Sequence, residues 1–306
     1  MGATEKSRDG GGCIAFERGT LRRSVRERGE RAWRSGALER IPAEVEVVED
    51  RGVAFLVRIA SGIPTVRAAR AGREPEGANP FLPYDEDLFV ADVSDSHVCL
   101  LNKFNVLDDH VLIVTRAYEP QESPLRRADF EALWACIGEL DGLGFYNAGA
   151  VAGASQPHRH LQVVPTPLAG GPRRTPMDAL LEDVRFDDGL GSARGLPFLH
   201  AVARLRSCAQ LEPPDAAGVL LALYGEMARA FGCQRPGHPY NLLLTREWML
   251  FVPRTRARWR GIPVNALGFA GALLVHDREQ LSSVRAAGPM QLLRGVAVPR
   301  SQVCAR

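Results

Sequence analysis

Two imidazoles and one carboxamide occupy every second position of a short apolar segment. His158, His160 and Gln162 are each separated by one residue in GASQPHRHLQVVP, residues 153–165. In a β-strand these three side chains share one face, because successive side chains point to opposite sides of the sheet. Such a face can be a hydrogen-bonded polar surface, a metal site or a site of nucleophilic catalysis.

A metal site requires more ligands than this segment supplies. Two imidazoles can chelate zinc, but a zinc site in a protein has at least a third protein ligand. Gln162 is a poor zinc ligand, and no Cys or acidic residue stands nearby in the sequence. The sequence therefore predicts no metal ligands here. A polar face whose imidazoles are satisfied by hydrogen bonds stays open as an alternative.

Nucleophilic catalysis explains more of the pattern. A neutral imidazole nitrogen can attack phosphorus and form a covalent phosphoramidate, which divides one difficult transfer into two easier steps. Gly153, Ser155 and Gln156 precede the histidines and bring a flexible backbone, a hydroxyl and a carboxamide to the same region. Such donors suit the negative charge that builds up on the equatorial oxygens of a transferring phosphoryl group. We therefore favour covalent phosphorus chemistry.

The composition limits the partners and the compartment. The chain has 306 residues and a net charge of +2, so no overall charge attracts nucleic acid. No apolar run approaches the roughly 20 residues that cross a bilayer. The beginning of the sequence lacks an apolar signal segment, and the six scattered cysteines indicate no disulfide framework. These features predict a cytoplasmic protein that binds neither nucleic acid nor membranes.

The order of predicted strands indicates an α+β fold. Alternating or short apolar runs predict strands in the first half at 52–60, 88–93, 97–104 and 110–115. The segments 145–151 and 153–165 are expected to follow as neighbouring strands or as strand and loop. The same signals predict strands in the second half at 198–205, 240–245 and 247–253. Runs of strands with few interposed helices favour a mainly antiparallel sheet over a regular βαβ alternation.

Helices are predicted around this sheet. The Arg-rich segment 17–40 is typical of a solvated helical arm. A longer helix is expected to begin with Ser123 as N-cap and Pro124 at its first position, and to end at Asp141-Gly142. Further helices are predicted at 177–184, 215–232, 267–275 and 278–287.

The segment HRHLQVV resembles the histidine-triad motif His-x-His-x-His, with Gln162 in place of the third histidine. That replacement is similar to the transferase branch of the superfamily. Longer segments resemble the ATP adenylyltransferases, also called diadenosine tetraphosphate phosphorylases. They follow in order as SGALERIP (35–42), FLVRI (55–59), NKFNVLDDHVLIVT (102–115), FYNAGAVAGASQPHRHLQ (145–162), LPFLHA (196–201), YNLLLTREWMLFVPR (240–254) and VNALGFAGALLV (264–275). The resemblance covers roughly residues 20–300.

The resemblance implies an α+β fold of the histidine-triad type. Its mainly antiparallel sheet would be flanked by helices and built from two related halves. The implied division is a disordered tail at 1–16, an N-terminal catalytic domain at 17–168 and a C-terminal adenylyltransferase domain at 169–306.

The resemblance also implies a role for each candidate residue. His160 matches the nucleophile that becomes adenylylated, His158 matches a supporting histidine, and Gln162 matches the residue that holds the transferred phosphoryl group. The substrate-binding residues implied in the same way are Gly153, Ser155 and Gln156 at the phosphates, Asn147 near the nucleophile, and Lys103 and Asn105 near the polyphosphate and nucleoside.

The implied activity is phosphorolysis of diadenosine tetraphosphate to ATP and ADP, and its reverse, through an AMP–histidine intermediate. The implied partners are ATP, ADP, phosphate and dinucleoside polyphosphates. No prosthetic group is required, and a magnesium ion can accompany the nucleotide through oxygens of the substrate. Three alternatives stay open: a hexose-1-phosphate uridylyltransferase, a dinucleoside polyphosphate hydrolase, and a nucleotide-binding sensor without turnover.

Overall fold

A large antiparallel sheet is the framework of the structure, a computed structural model that describes residues 14–62, 79–182, 184–187 and 189–300. The strands of the first half are β1 (Glu39–Arg40), β2 (Glu44–Asp50), β3 (Val53–Ile59), β4 (Phe89–Asp92), β5 (His97–Leu101), β6 (Phe104–Asn105), β7 (Val111–Thr115), β8 (Gly142–Asn147) and β9 (His160–Pro165). Those of the second half are β10 (Arg185–Asp187), β11 (Leu190–Ser192), β12 (Ala201–Arg204), β13 (Tyr240–Leu244), β14 (Trp248–Pro253), β15 (Arg258–Trp259), β16 (Ile262–Pro263) and β17 (Ala272–Val275).

The large sheet has ten strands in the order β10-β11-β12-β14-β13-β8-β9-β7-β5-β4. All of its neighbouring strands are antiparallel, and the pairing of β8 with β13 joins the first half of the chain to the second. A three-stranded sheet, β17-β3-β2, and the two-stranded pairs β1-β6 and β15-β16 lie outside it. The predicted α+β class with a mainly antiparallel sheet is confirmed.

The helices lie around this sheet. They are α1 (Leu21–Ser35), α2 (Arg127–Leu140), α3 (Asp178–Leu181), α4 (Pro213–Ala230), α5 (Ala266–Phe269), α6 (Arg278–Ala287) and α7 (Pro289–Val296). Within the described part of the chain, none of them is both long enough and apolar enough to cross a membrane.

One face of the large sheet is buried beneath α2 and α4. The apolar residues of these helices form a single hydrophobic cluster with Leu161 and Val163 of β9. Gly144 of β8 faces α2, and a Cβ atom there would lie 2.6 Å from Ile137 Cδ1 and 2.8 Å from Leu133 Cδ1. A larger residue would require these two side chains to shift, because a distance below 3.0 Å is a steric clash, so glycine favours the close packing of the helix.

The opposite face carries two separate hydrophobic clusters. The three-stranded sheet and helices α5 to α7 cover one end and bury Phe145 of β8 among other residues. A smaller cluster at the other end includes Phe81 and Leu112. Gln162 pairs across β9 with Leu112 on one side and with Phe145 on the other. The polar face of β9 therefore lies where the two clusters meet.

Several predicted boundaries differ from the structure. Helix α2 begins at Arg127, not at Ser123-Pro124, and the Asp129 carboxylate accepts the Arg126 amide at 2.6 Å. The N-cap prediction for Ser123 is therefore wrong, because a carboxylate inside the first turn satisfies the free amide instead. The segment 153–165 is a loop followed by a strand, which is one of its two predicted forms, since His158 makes only an isolated bridge to Pro120 and β9 begins at His160.

The helix predicted over residues 267–275 is also wrong. This segment is the short helix α5 followed by strand β17, which pairs in parallel with β3. Gly271 separates them with φ of +93°. Short apolar runs do not distinguish a buried helix from a buried strand, because both are apolar on every side. Helix α7 follows α6 and was not predicted, and the predicted tail at residues 1–16 lies largely outside the described residues.

Candidate active site

His160 lies at the start of β9, and three hydrogen bonds to Gln121 fix the backbone around it. The Gln121 Oε1 accepts the His160 amide at 2.8 Å. The Gln121 amide nitrogen donates to the carbonyls of His160, at 3.1 Å, and Asn147, at 2.9 Å. Gln121 is 2% exposed, so these bonds are shielded from water. A buried carboxamide thus holds the strand of the candidate nucleophile against the end of β8.

The imidazole of His160 is held in one tautomer. Its Nδ1 lies 2.8 Å from the carbonyl oxygen of His158, which can only accept a hydrogen bond. Nδ1 therefore carries the proton, and Nε2 keeps its lone pair. Burial lowers the pKa of His160 to about 4. At neutral pH the ring is an uncharged nucleophile whose Nε2 is hydrogen-bonded to no described residue.

His158 supports His160 through its backbone and not through its ring. The His158 Nδ1 accepts from the Asn79 side-chain amide at 2.9 Å, and Nε2 donates to the Thr115 carbonyl at 2.8 Å. Burial lowers the pKa of His158 as well. Both ring nitrogens are therefore occupied, and the carbonyl oxygen is the group that orients the nucleophile.

This arrangement differs from a metal site. The two imidazoles do not converge on one point, since the ring nitrogens of His158 bond to Asn79 and Thr115. Within residues 14–62, 79–182, 184–187 and 189–300, no three His, Cys, Asp or Glu side chains are grouped to hold a metal ion. That no zinc binds stays a prediction.

Gln162 presents one end of its carboxamide to a neighbouring histidine. The Gln162 Oε1 lies 3.0 Å from Nε2 of His110, the residue that precedes β7. Gln162 shares the sheet face with His160, because they are two residues apart on β9. Its amide nitrogen bonds to none of the described residues, so two N–H donors are available beside the nucleophile.

The loop before β9 contains the predicted phosphate-binding residues. Gly153 has φ of +96°, and a Cβ atom there would lie 2.8 Å from both the Val264 carbonyl oxygen and Asn265 Cα. Both observations require glycine. Ser155 is exposed and Gln156 is half-buried, and neither side chain bonds to a described residue. Their polar groups are therefore free to contact a ligand.

Asn147 is oriented by the second half of the chain. Its Oδ1 accepts from the Asn241 side-chain amide at 2.8 Å and from the Ala266 backbone amide at 2.9 Å. The residue is 1% exposed. The structure brings it next to His160 through the shared partner Gln121, while its side chain links β8 to β13 and α5.

Lys103 lies between β5 and β6, and Asn105 lies in β6. The Lys103 carbonyl accepts from the Glu39 amide at 2.8 Å, and its side chain is half-buried. Asn105 is 7% exposed, and its Oδ1 is buried without a hydrogen-bond partner. An unpaired buried acceptor is costly, and a donor on a ligand would satisfy it. The roles of both residues stay predictions.

Arg254 is buried, although the Arg-rich segment PRTRARWR (253–260) to which it belongs is typical of a solvated loop. It is 3% exposed, and burial lowers the pKa of its guanidinium to about 9. Its five N–H donors all have neutral acceptors, which are Asn241 Oδ1 and the carbonyls of Ala152, Val264, Val296 and Arg256. Arg254 is therefore a buried cross-link behind the site.

A cavity of about 450 Å³ lies elsewhere, among residues that include Asp141, Arg174 and Trp248. None of the predicted site residues lines it. Arg174 forms ion pairs with Asp141 and Glu247, at 3.2 Å to the latter, which neutralise its charge. The chemistry of β9 is separate from this cavity, so the polar face around His160 is the better candidate site.

Two family models match nearly the whole chain. Residues 12–183 match the Ap4A phosphorylase N-terminal domain, in which Ap4A is diadenosine tetraphosphate. The chain belongs to the Ap4A phosphorylase family. Residues 194–299 match the ATP adenylyltransferase C-terminal domain. ATP adenylyltransferase is also the family that the sequence motifs resemble. The predicted family is confirmed, whereas the division at residue 168 stays a prediction.

Proteins of Saccharomyces cerevisiae are similar along most of their length. Diadenosine tetraphosphate phosphorylase 2 is 27% identical over 297 residues, which cover 86% of this chain and 90% of the yeast protein. Protein APA1 is 26% identical over 289 residues, covering 83% of this chain and 86% of the relative.

Crystal structures of a yeast Ap4A phosphorylase are also similar to this chain. The complex with Ap4A has a TM-score of 0.77 and 25% identity, and covers 94% of this chain and 99% of the yeast chain. The complex with AMP has a TM-score of 0.77 and 26% identity, and covers 94% and 98% of the two chains. This similarity extends over both halves of the sheet.

Proposed function

We propose that this protein is a nucleotidyltransferase that cleaves diadenosine tetraphosphate with phosphate to ATP and ADP, through an AMP–His160 intermediate. The observation that carries the proposal is the state of His160. Its ring is neutral and held by a backbone carbonyl, and its Nε2 lone pair has no described partner. The family membership of the chain supports the same activity.

In the first step His160 Nε2 attacks the α-phosphorus of the dinucleotide. A P–N bond forms, the bond from phosphorus to the bridging oxygen breaks, and ATP leaves. The leaving group is a polyphosphate of low pKa, so little general-acid assistance is needed. The free N–H donors of Gln162 and the polar groups of Ser155 and Gln156 can stabilise the equatorial oxygens.

In the second step an oxygen of inorganic phosphate attacks the same phosphorus. A new P–O bond forms, the P–N bond breaks with its electron pair returning to Nε2 of His160, and the product ADP is released. The reverse direction joins ATP and ADP. Gln162 is neutral at every working pH and cannot act as a general acid or base, so the site suits an acceptor that brings its own charge and proton.

The ligands of the yeast relatives support nucleotide binding in this proposal. Two of the similar crystal structures are described as complexes with Ap4A and with AMP. A magnesium ion would arrive with the polyphosphate and bind mainly through substrate oxygens. The proposed partners are therefore ATP, ADP, phosphate and dinucleoside polyphosphates.

The product distribution tests the proposed function. With diadenosine tetraphosphate and phosphate we expect ATP and ADP in equal amounts, little AMP, and parallel lines in ping-pong kinetics. Without phosphate, each chain should retain one acid-labile AMP, detectable by mass spectrometry of the quenched protein. AMP as the main product in both conditions would identify a hydrolase. Nucleotide binding without products or labelled protein would identify a sensor, and preference for UDP-glucose with galactose 1-phosphate would identify a uridylyltransferase.

The pH dependence of the first step tests the state of His160. Because burial lowers its pKa to about 4, the ring stays neutral from pH 8 down to pH 5. Diadenosine tetraphosphate has no terminal phosphate whose ionisation would obscure this range. We therefore expect the single-turnover rate of ATP release, measured without phosphate, to stay nearly constant between pH 8 and pH 5. A midpoint near the ordinary histidine pKa of about 6.5 would contradict the buried neutral nucleophile.

A further inference from the structure

Gln162 is the end of a chain of hydrogen bonds that begins at a backbone carbonyl. The Asn102 side-chain nitrogen lies 3.3 Å from the Phe104 carbonyl oxygen and 3.0 Å from His110 Nδ1. His110 Nε2 lies 3.0 Å from Gln162 Oε1. His110 is 8% exposed, so water does not replace these partners freely.

The first acceptor sets the direction of every later bond. The Phe104 carbonyl can only accept, so the nitrogen end of the Asn102 carboxamide must face it. The same nitrogen then donates to His110 Nδ1, which must be unprotonated. A neutral imidazole with an unprotonated Nδ1 carries its proton on Nε2.

The direction continues from the imidazole to the carboxamide. The proton on His110 Nε2 is donated to Gln162, so the oxygen end of that side chain must face His110. The nitrogen end then faces the space beside His160. If the order were reversed, Gln162 Oε1 would point at the phosphoryl oxygens, where two acceptors repel each other.

We propose that Asn102 and His110 are positioning residues that orient the Gln162 carboxamide with its N–H donors toward the transferred phosphoryl group. This inference rests on the proposed adenylyl transfer, and it explains how the carboxamide of Gln162 is oriented for that reaction. Asn102 and His110 act through Gln162, whose donors stabilise charge in the transition state, so their loss should lower the rate of AMP transfer more than substrate affinity.

The surroundings of His110 keep its ring neutral. Burial, together with the neighbouring His160, lowers the pKa of His110 to about 4, although the hydrogen bond to Gln162 acts in the opposite direction. The Phe145 ring lies with its centroid 5.9 Å away. The adjacent Asp109 carboxylate pairs with Arg26 at 3.4 Å, and the half-buried Lys103 adjoins Asn102 in the sequence.

A double-mutant cycle measures whether His110 acts through Gln162. His110→Leu and Gln162→Met keep apolar volume and remove the hydrogen bonds. Each should lower the single-turnover rate of ATP release by about 10- to 100-fold, with KM changed less than threefold, as for loss of one or two donors in a charge-stabilising site. The double variant should be no slower than Gln162→Met, because the two residues serve one function.

His200→Leu is the matched control for removal of a buried histidine. The His200 Nδ1 donates to the Phe198 carbonyl at 2.8 Å, and Nε2 accepts from the Ala193 amide at 2.9 Å. It precedes β12, which is four strands away from β9 in the sheet. Its loss should lower stability without changing the rate of AMP transfer.

Asn102→Asp provides a readout that does not depend on the fold tolerating an apolar residue. A carboxylate next to His110 can only accept, so the neutral ring would keep its proton on Nδ1 and leave Nε2 without one. Only the imidazolium form would still donate to Gln162. This variant should therefore be active at low pH and lose about 10-fold or more of its rate as His110 deprotonates. The wild-type rate should not change in this way.

The outcomes separate this inference from the proposed function. Wild-type turnover, a non-additive cycle and the new pH dependence of Asn102→Asp would support it. Two results would overturn the positioning role alone, provided that the wild-type protein turns over. One is that the effects of His110→Leu and Gln162→Met on the rate multiply in the double variant. The other is that the pH profile of Asn102→Asp is parallel to that of the wild type. A wild-type protein that releases no ATP from diadenosine tetraphosphate would overturn both.

Discussion

Replacing His160 with alanine is expected to lower the phosphorolysis of diadenosine tetraphosphate by about 10³-fold or more, because a covalent nucleophile has no substitute. Its Nε2 has no hydrogen-bond partner among the described residues, whereas the ring nitrogens of His158 bond to Asn79 and Thr115. The variant should also carry no acid-labile AMP. Steady-state rates and mass spectrometry of the quenched protein measure both effects.

The fold of this variant should persist. Among the residues that the structure describes, the His160 ring makes one hydrogen bond, to a carbonyl two residues earlier, and the backbone is held separately by Gln121. His200→Ala is the matched control, since the His200 ring is similarly buried and donates to the carbonyl of Phe198 at the same distance of 2.8 Å. The His200 ring also accepts from the Ala193 amide at 2.9 Å, so thermal unfolding should show a loss of stability at least as large for His200→Ala, but only His160→Ala should lose turnover. Activity above one hundredth of wild type in His160→Ala would refute its role as nucleophile.

Local patterns in the sequence were sufficient to predict the framework of the site. The alternation in HRHLQVV correctly placed His160 and Gln162 on one face of a strand and Leu161 on the other. The apolar runs around 97–104 and 110–115 correctly predicted the neighbouring strands. Such patterns succeed because side chains along a strand alternate between the two faces of the sheet, so the polarity of each residue indicates the face on which it lies.

The side-chain contacts around the nucleophile could not be predicted in this way. Gln121 is 39 residues from His160, and Asn241 is 94 residues from Asn147, so no local periodicity connects the members of either pair. Arg254 has the same sequence character as the exposed arginines that follow it, yet it is buried. Their roles depend on which strands become neighbours, and the pairing of β8 with β13 is decided by the whole fold.

The start of helix α2 was predicted incorrectly for a different reason. Ser123-Pro124 has the residue types that often begin a helix. The free amide at the actual start belongs to Arg126, however, and the carboxylate of Asp129 accepts its hydrogen bond. The same carboxylate also receives hydrogen bonds from Arg159, at 3.1 Å, and from His97, at 3.1 Å. The tertiary contacts of Asp129 with Arg159 and His97 therefore help to determine where α2 begins. A local sequence pattern contains no information about such contacts.

The buried guanidinium of Arg254 leads to the second large prediction, that Arg254→Met destabilises the protein by about 3 kcal/mol or more. The substitution keeps much of the side-chain volume but removes the donor to Asn241 Oδ1 and to the carbonyls of Val264 and Arg256, and each unpaired acceptor costs about 1–3 kcal/mol. The carbonyls of Ala152 and Val296 keep other donors. Relief of the cost of burying the charge offsets part of this loss. Urea unfolding of the variant and wild type at pH 7 measures the difference.

Two further substitutions separate the causes. Arg256→Met changes an exposed arginine of the same segment and should stay within about 0.5 kcal/mol of wild type. Arg254→Lys keeps a positive charge, but an ammonium has three donors and no planar fork, so it cannot reach all five acceptors. It should be destabilised by an amount between those of the other two variants. A lysine variant as stable as wild type would show that the charge, and not the hydrogen-bonding geometry, stabilises this position.

Arg254→Met should also lower activity under conditions where the variant is still folded. Arg254 donates to Asn241 Oδ1 and to the Ala152 carbonyl, at 3.1 Å to the latter. Asn241 in turn orients Asn147, and Ala152 immediately precedes the loop at Gly153. Movement of these groups displaces the loop donors from the transferring phosphoryl group, so we expect the rate of ATP release to fall by about 10-fold or more. An unchanged rate in the folded variant would mean that His160 and its loop keep their geometry without this cross-link.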